Sequence, residues 1–255
     1  MSEKDNSLNE WTLMFLFAGD NELAPLLISQ VKAIKDAGFD KNVEVLVHFD
    51  PNERGVPTRL LRVNNRRKSA SESPKFIGLD NSFVRNMGED IVTSKQITPG
   101  PGDFFSSKMK ESLDDPDGVT SLDALKNFLG YCRESHPAKN YMLFLFGHGM
   151  VVGGDAFLTD SNPGSAVTLG GMGDAIKDFT KKTKGKLHLL GLHSCAISAV
   201  EVAYELKGTA QYMIGSEGLA WVGSWPYLNL LMKIFKALED EGERRGRRGL
   251  DAAGA

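Results

Sequence analysis

Leu187-His188-Leu189-Leu190-Gly191-Leu192-His193-Ser194-Cys195 is a short apolar run that ends in a small polar turn with a thiol at its tip. Tyr141-Met142-Leu143-Phe144-Leu145-Phe146-Gly147-His148-Gly149 has the same form, with an imidazole near its end. Each run is too short for an ordinary helix and is closed by glycine and polar residues, so each reads as a buried parallel strand. In an open parallel sheet the ligand crevice lies beyond the carboxyl ends of the strands. If the two strands are neighbours, His148 and Cys195 meet there as a base and a nucleophile.

The flanking sequence supplies the rest of such a sheet. Trp11 to Phe17 is an apolar run, and Ala18-Gly19-Asp20-Asn21 turns the chain, with Asp20 or Asn21 as a helix cap and Glu22 in the first turn. Leu23, Leu26, Leu27, Val31 and Ile34 recur at helical spacing up to Gly38, and Asn42 to Phe49 is a second strand. Strand, helix, strand in this order predicts a parallel crossover unit. Residues 50–119 read as a surface insertion. In it, Thr58 to Val63 and Lys75 to Gly78 form an outer hairpin beside a Ser-rich piece, Ser69 to Pro74. Its basic cluster (Arg62, Arg66, Arg67, Lys68) reads as a solvated face or as a docking patch for an acidic partner.

Thr120 or Ser121 caps the next helix, whose stripe Leu122, Leu125, Phe128, Leu129 and Cys132 puts Cys132 in the core. After Gly149 a Gly-rich loop runs to Gly171, followed by a helix to about Lys182 with Ile176 and Phe179 inward. Ile197 to Leu206 is helical, Tyr212 to Gly215 is a fifth strand, and Tyr227 to Leu238 is a final amphipathic helix. The charged remainder to Ala255 reads as disordered. The predicted class is α/β, a mostly parallel central sheet with helices on both faces. Residues 1–240 form one domain, with 50–119 as its insertion and 241–255 as a tail.

Composition narrows the function. In 255 residues, 41% hydrophobic and 25% charged, the net charge is only -3, which gives no electrostatic case for nucleic acid or a membrane surface. No apolar stretch spans a bilayer, and the polar N-terminus is not a secretory signal. Two Cys make no disulfide framework, which predicts a reducing, cytoplasmic location. CxxC, HExxH, GxSxG and P-loop spacings are absent, and the glycines near Gly147 and Gly153 do not form a dinucleotide fingerprint.

A thiol at a strand-to-helix turn is favoured as thiolate if a helix starting near Ala196 directs its N-terminus at the sulfur. The N–H groups of Cys195 and Gly149 are candidate oxyanion donors. His148 is the candidate acid–base group.

Phe144-Leu-Phe-Gly-His-Gly149 and Leu189-Leu-Gly-Leu-His-Ser-Cys195 resemble the two signature strands of the clostripain family of cysteine peptidases, in the caspase-like clan. The resemblance extends through Trp11 to Asn21, Asn86 to Glu89, Pro137 to Tyr141, Cys195 to Leu206 and Tyr212 to Glu217, and covers roughly residues 11–236. It implies a caspase-like fold and a cysteine endopeptidase with Cys195 as nucleophile and His148 as its partner. It also implies a protein or peptide substrate and an activating or inhibitory protein partner. No cofactor or metal is expected, and calcium dependence is not readable from these residues. Compact caspase-like enzymes often act as intracellular effectors, for example in bacterial defence. A rival reading, a catalytically silent scaffold that binds a partner, has no use for an intact His–Cys pair.

The departures from the family concern specificity. Members that cleave after Arg or Lys carry Asp two residues before the nucleophile, where this chain has His193, and a second acid near residues 220–223, where it has none. A carboxylate is what holds a basic substrate side chain. Candidate substrate-binding residues are therefore His193, Ser194, Glu217, Trp221 and Trp225. His193 reads either as a substrate contact or as a satisfied structural histidine, and the two tryptophans, with Val222, as a pocket lining or as core under the last helix. Gly147 stands where the family often has Asp. Relatives are activated by cleavage between the His and Cys strands. Residues 151–171 contain no Lys or Arg, so self-processing after a basic residue is not expected there.

Overall fold

The computed structural model describes residues 8–19, 21, 23–37, 43–51, 59–63, 76–77, 120–150, 156–160, 164–183 and 185–253. Its core is a seven-stranded sheet. Strands β1 (Asn9–Gly19), β2 (Val43–Pro51), β3 (Arg59–Val63), β4 (Phe76–Ile77), β5 (Ala138–Phe146), β9 (Lys186–His193) and β10 (Tyr212–Gly215) lie in the order β10-β9-β5-β1-β2-β3-β4. All pairs from β10 to β2 are parallel, and β3 and β4 extend the edge antiparallel. The expected hairpin is therefore an extension of the main sheet. Arg62, from the basic cluster, makes a bidentate ion pair with Glu44 on β2, at 2.7 Å for both contacts. The rest of that cluster, the Ser-rich piece, residues 86–89, Asp20, Glu22 and Gly38 lie outside the described residues.

Burial on both faces explains the apolar runs. On β1, Leu13, Phe15 and Phe17 enter one core layer while Met14 and Leu16 enter the other. β5 does the same, with Phe144 and Phe146 on the first side and Leu143 and Leu145 on the second. The first layer is closed by α1 (Ala24–Asp36) and α5 (Tyr227–Ala253). The second is closed by α2 (Ser121–Ser135), α3 (Leu169–Lys182) and α4 (Val200–Glu205). Thr120 caps α2, its hydroxyl accepting from the Asp123 N–H. Cys132 is fully buried, and burial pushes its thiol well above the ordinary range, as expected of a core residue.

Three expectations need correction. The segment after Gly149 is not simply a loop. Strands β6 (Gly149–Met150), β7 (Ala156–Asp160) and β8 (Ser165–Val167) form a small antiparallel sheet, and α3 starts at Leu169, capped by Thr168. The glycines at 170, 171 and 173 obscured that cap. The helix after Cys195 starts at Val200, because the backbone N–H groups of Ala196 and Ser198 bond instead to the carbonyls of Gly218 and Ser216. The final helix continues to Ala253. Acidic residues such as Asp240 stand one turn before basic ones such as Arg244, a spacing that supports a helix despite its glycines. Among the described residues no helix is long and apolar enough to cross a membrane.

Two histidines of this core make stability depend on pH. Burial holds His48 down to about 4, and burial together with the Arg62 charge does the same to His136. Unfolded, both titrate near 6.5. Above about pH 6.5 neither state binds these protons, and full stability is present. As pH falls towards 4 the unfolded chain takes up protons that the folded chain refuses, and stability is lost. Thermal melts at pH 7 and pH 5 should show a lower midpoint at pH 5, and an equal or higher one would contradict the assignment.

Candidate functional site

The parallel pairing of β5 with β9 matches Phe146 with His193. His148 and Cys195 each follow this last pair by two residues, at the same end of adjacent strands, which in a sheet run about 5 Å apart. Beyond the last ladder pair the tips are tied directly. The Gly147 N–H donates to the His193 carbonyl at 3.4 Å, and the Ser194 hydroxyl donates to the Gly147 carbonyl at 2.6 Å. Ser194 is thus buried and committed to joining the two tips. Gly149 is pressed against it: a Cβ on Gly149 would sit 2.9 Å from the Ser194 Cβ and 3.0 Å from the Phe157 ring.

Both tips rest on strained backbone. Leu158 and Ala196 are the non-glycine residues with positive φ, 52° and 50°, among the described residues. The Leu158 N–H donates to the His148 carbonyl at 2.9 Å, and Ala196 directly follows Cys195. Left-handed backbone outside glycine is costly and gathers at functional sites, where surrounding bonds enforce it. Here the Ala196 N–H bond to the Gly218 carbonyl, 2.9 Å, helps to hold the turn.

Cys195 is half-buried. Because α4 begins only at Val200, no helix N-terminus reaches its sulfur, contrary to the sequence expectation. The Ala220 N–H instead points at Sγ at 3.4 Å. That backbone contact had no signal in the sequence. The Cys195 N–H has no acceptor among the described residues, whereas the Ala196 N–H is already engaged.

His193 lies under the site. It is 1% exposed, and its ring stacks on Trp225 with centroids 5.0 Å apart and planes 9° apart. The Phe146 ring meets it edge-on at 4.2 Å. Nε2 lies 3.0 Å from the Trp221 carbonyl, an acceptor, so Nε2 carries the proton; Nδ1, 3.1 Å from the Tyr227 hydroxyl, accepts from it. Burial pulls the ring down to about 4, only partly opposed by the Trp221 bond, so it is neutral. Both nitrogens are used by the protein, which is the structural-histidine arrangement of the two readings above. Trp225 is half-buried over Gly191, and the Trp221 side chain is exposed. Glu217 is exposed. Tyr227, which orients His193, was missed in the sequence because it reads as one more apolar helix residue. Among the described residues no group of three His, Cys, Asp or Glu side chains could hold a metal ion.

The clostripain-family profile matches residues 18–253. Clostripain from Hathewaya histolytica is 21% identical over 251 residues, which cover 90% of this chain and 43% of that protein. A secreted C11 cysteine protease from Bacteroides thetaiotaomicron, solved with an irreversible peptide inhibitor, superposes with a TM-score of 0.62 at 16% identity, covering 89% of this chain and 54% of that one. An inactive zymogen C11 protease from Parabacteroides distasonis gives 0.57 at 20% identity, covering 90% and 54%. The chain thus spans about half the length of these relatives, and the likeness shows a caspase-like fold. The expectation of a cytoplasmic location is overturned, since a structure this similar belongs to a secreted protease. A low cysteine count and a polar N-terminal stretch are too weak to assign a compartment.

The crowding at Gly149 is directly testable. Gly149→Ala must push the β6–β7 hairpin and the Ser194 turn apart, at a cost of about 1–3 kcal/mol as for other overpacked sites. Urea denaturation should register a loss of that size, and an unchanged midpoint would show that the two tips are not in contact.

Proposed function

The chain belongs to the clostripain family, and on that premise we propose that it is a cysteine endopeptidase with Cys195 as nucleophile and His148 as the acid–base group. The observation that supports the reading is the parallel β5–β9 pairing, whose last pair, Phe146 and His193, lies two residues before His148 and Cys195 at the same edge of the sheet.

The steps follow from the groups available. The Cys195 thiol passes its proton to His148, and the resulting thiolate attacks the carbonyl carbon of the scissile peptide bond. The Ala220 backbone faces this sulfur, with its N–H 3.4 Å and its carbonyl 3.8 Å away. Negative charge then develops on the substrate oxygen. The N–H groups of Cys195 and Gly149 are the donors for it, with glycine at 149 allowing close backbone approach. His148 gives its proton to the leaving amine as the C–N bond breaks, leaving a thioester on Cys195. Water, deprotonated by His148, attacks the thioester and releases the carboxylic acid product and the free thiol.

The substrate is a protein or peptide. Regulation by an activating or inhibitory protein partner belongs to the same proposal, supported by the family resemblance. The small β6–β7–β8 sheet lies between the two dyad strands in sequence, so a cut between them would act next to His148.

Cys195→Ala removes the nucleophile and keeps the fold. It should lose peptide cleavage by a factor of about 1,000 or more, and it should no longer be alkylated by iodoacetamide at this site. Intact-mass measurement after alkylation and a fluorogenic peptide assay check the two losses. Wild-type cleavage rates in the variant would sink the assignment.

A further inference from the structure

Exposed Leu219 and Trp221 flank the residue whose backbone meets the Cys195 sulfur, and we infer that the enzyme takes an uncharged, apolar side chain, of the size of Leu, Met or Phe, immediately before the scissile bond. This deepens the peptidase reading above and rests on it.

Three observations support the inference. The first concerns His193, buried beneath this surface. His193 stands two residues before the nucleophile with both ring nitrogens bonded within the protein, to the Trp221 carbonyl and the Tyr227 hydroxyl. The Ser224 hydroxyl, 2.7 Å from the Trp221 carbonyl, closes the same group. The ring is left with no donor or acceptor for a substrate, and its faces and edge meet Trp225 and Phe146.

The second concerns the rim. The Ala220 N–H is fixed on Sγ and the Trp221 carbonyl on His193, so residues 219–221 are anchored beside the nucleophile. Their neighbouring side chains Leu219 and Trp221 are each 74% exposed. Two large, uncovered apolar side chains on either side of the residue whose N–H meets the reacting atom mark a contact surface for an apolar group.

The third concerns charge. A basic side chain seated against apolar walls needs a desolvated carboxylate partner. Among the described residues the buried carboxylate is Glu44, which is paired with Arg62 on the far strands β2 and β3. Glu217 is exposed, and a solvated carboxylate holds a cation weakly.

The test is a fluorogenic peptide panel that differs only in the residue before the scissile bond, with Leu, Met, Phe, Lys, Arg, Asp and Gly. Wild type and Trp221→Glu are compared, and iodoacetamide labelling of Cys195 is followed in both. In wild type kcat/KM should be about 100-fold or more higher for Leu or Phe than for Lys or Arg. In Trp221→Glu the ratio of Leu to Gly should fall about tenfold or more, because an apolar contact is replaced by a solvated carboxylate, a change that a merely structural role for Trp221 would not produce. Preference of wild type for Lys or Arg would overturn the inference and leave the peptidase reading standing. A ratio unmoved in Trp221→Glu would remove Trp221 from the site and overturn it as well. Labelling of Cys195 without cleavage of any peptide in the panel would sink the peptidase reading itself, and the inference with it.

Discussion

The parallel pairing of β5 and β9 is the constraint on which the site depends. Two loop tips distant in sequence are aligned only because the strands beneath them are held in one register. Both faces of β5 are buried, with Phe144 and Phe146 to one side and Leu143 and Leu145 to the other. A slip by one residue would exchange these sets between two differently shaped layers, so the register is strongly specified. At the open end the ladder is prolonged by the Gly147 N–H and the Ser194 hydroxyl. Backbone groups that would otherwise be buried without partners are satisfied there, and the same bonds tie the residue before His148 to the two residues before Cys195.

The Cys195 turn is held from its other side as well. Ser198, Ala196 and Cys195 meet Ser216, Gly218 and Ala220 in sequence, through two backbone hydrogen bonds and the Ala220 N–H contact to sulfur. This pairing displaces the first turn of the expected helix. It replaces a helix dipole by one aimed donor, and it leaves Ala196 in a left-handed conformation. His193 then couples the turn to α5, since its ring is oriented by the Tyr227 hydroxyl and covered by Trp225. Reactivity and the shape of the adjacent surface are therefore set by the same short stretch of chain and by the N-terminal end of one helix.

Much of this was legible beforehand, and the failures share a cause. The strands of the main sheet, the hairpin of residues 59–63 and 76–77 and the Thr120 cap follow from local pattern, because burial on two faces and capping leave marks in residue type. The three-stranded sheet around Ala156–Asp160 was missed because short strands amid glycines carry little periodicity. The late start of α4 was missed because the competing bonds come from residues 216 and 218. The length of α5 was missed because a charged, glycine-containing stretch looks disordered until its acidic and basic residues are counted at helical spacing. The compartment was misjudged because neither cysteine count nor a polar terminus fixes it physically.

By itself the sequence determined that a thiol and an imidazole end two buried strands of an α/β sheet, and the family to which those strands belong. It also exposed the histidine that stands where an acid was expected. Periodicity and residue type suffice for that, since they record which faces are buried. Tertiary structure alone decided what His193 does. Its ring has both nitrogens engaged by a carbonyl and a hydroxyl from beyond residue 220, so it is a neutral ring held within the protein's own packing. It also decided that a backbone N–H from Ala220 faces the sulfur. Such contacts depend on where distant backbone groups fall in space, and the order of residues along a chain carries no record of that.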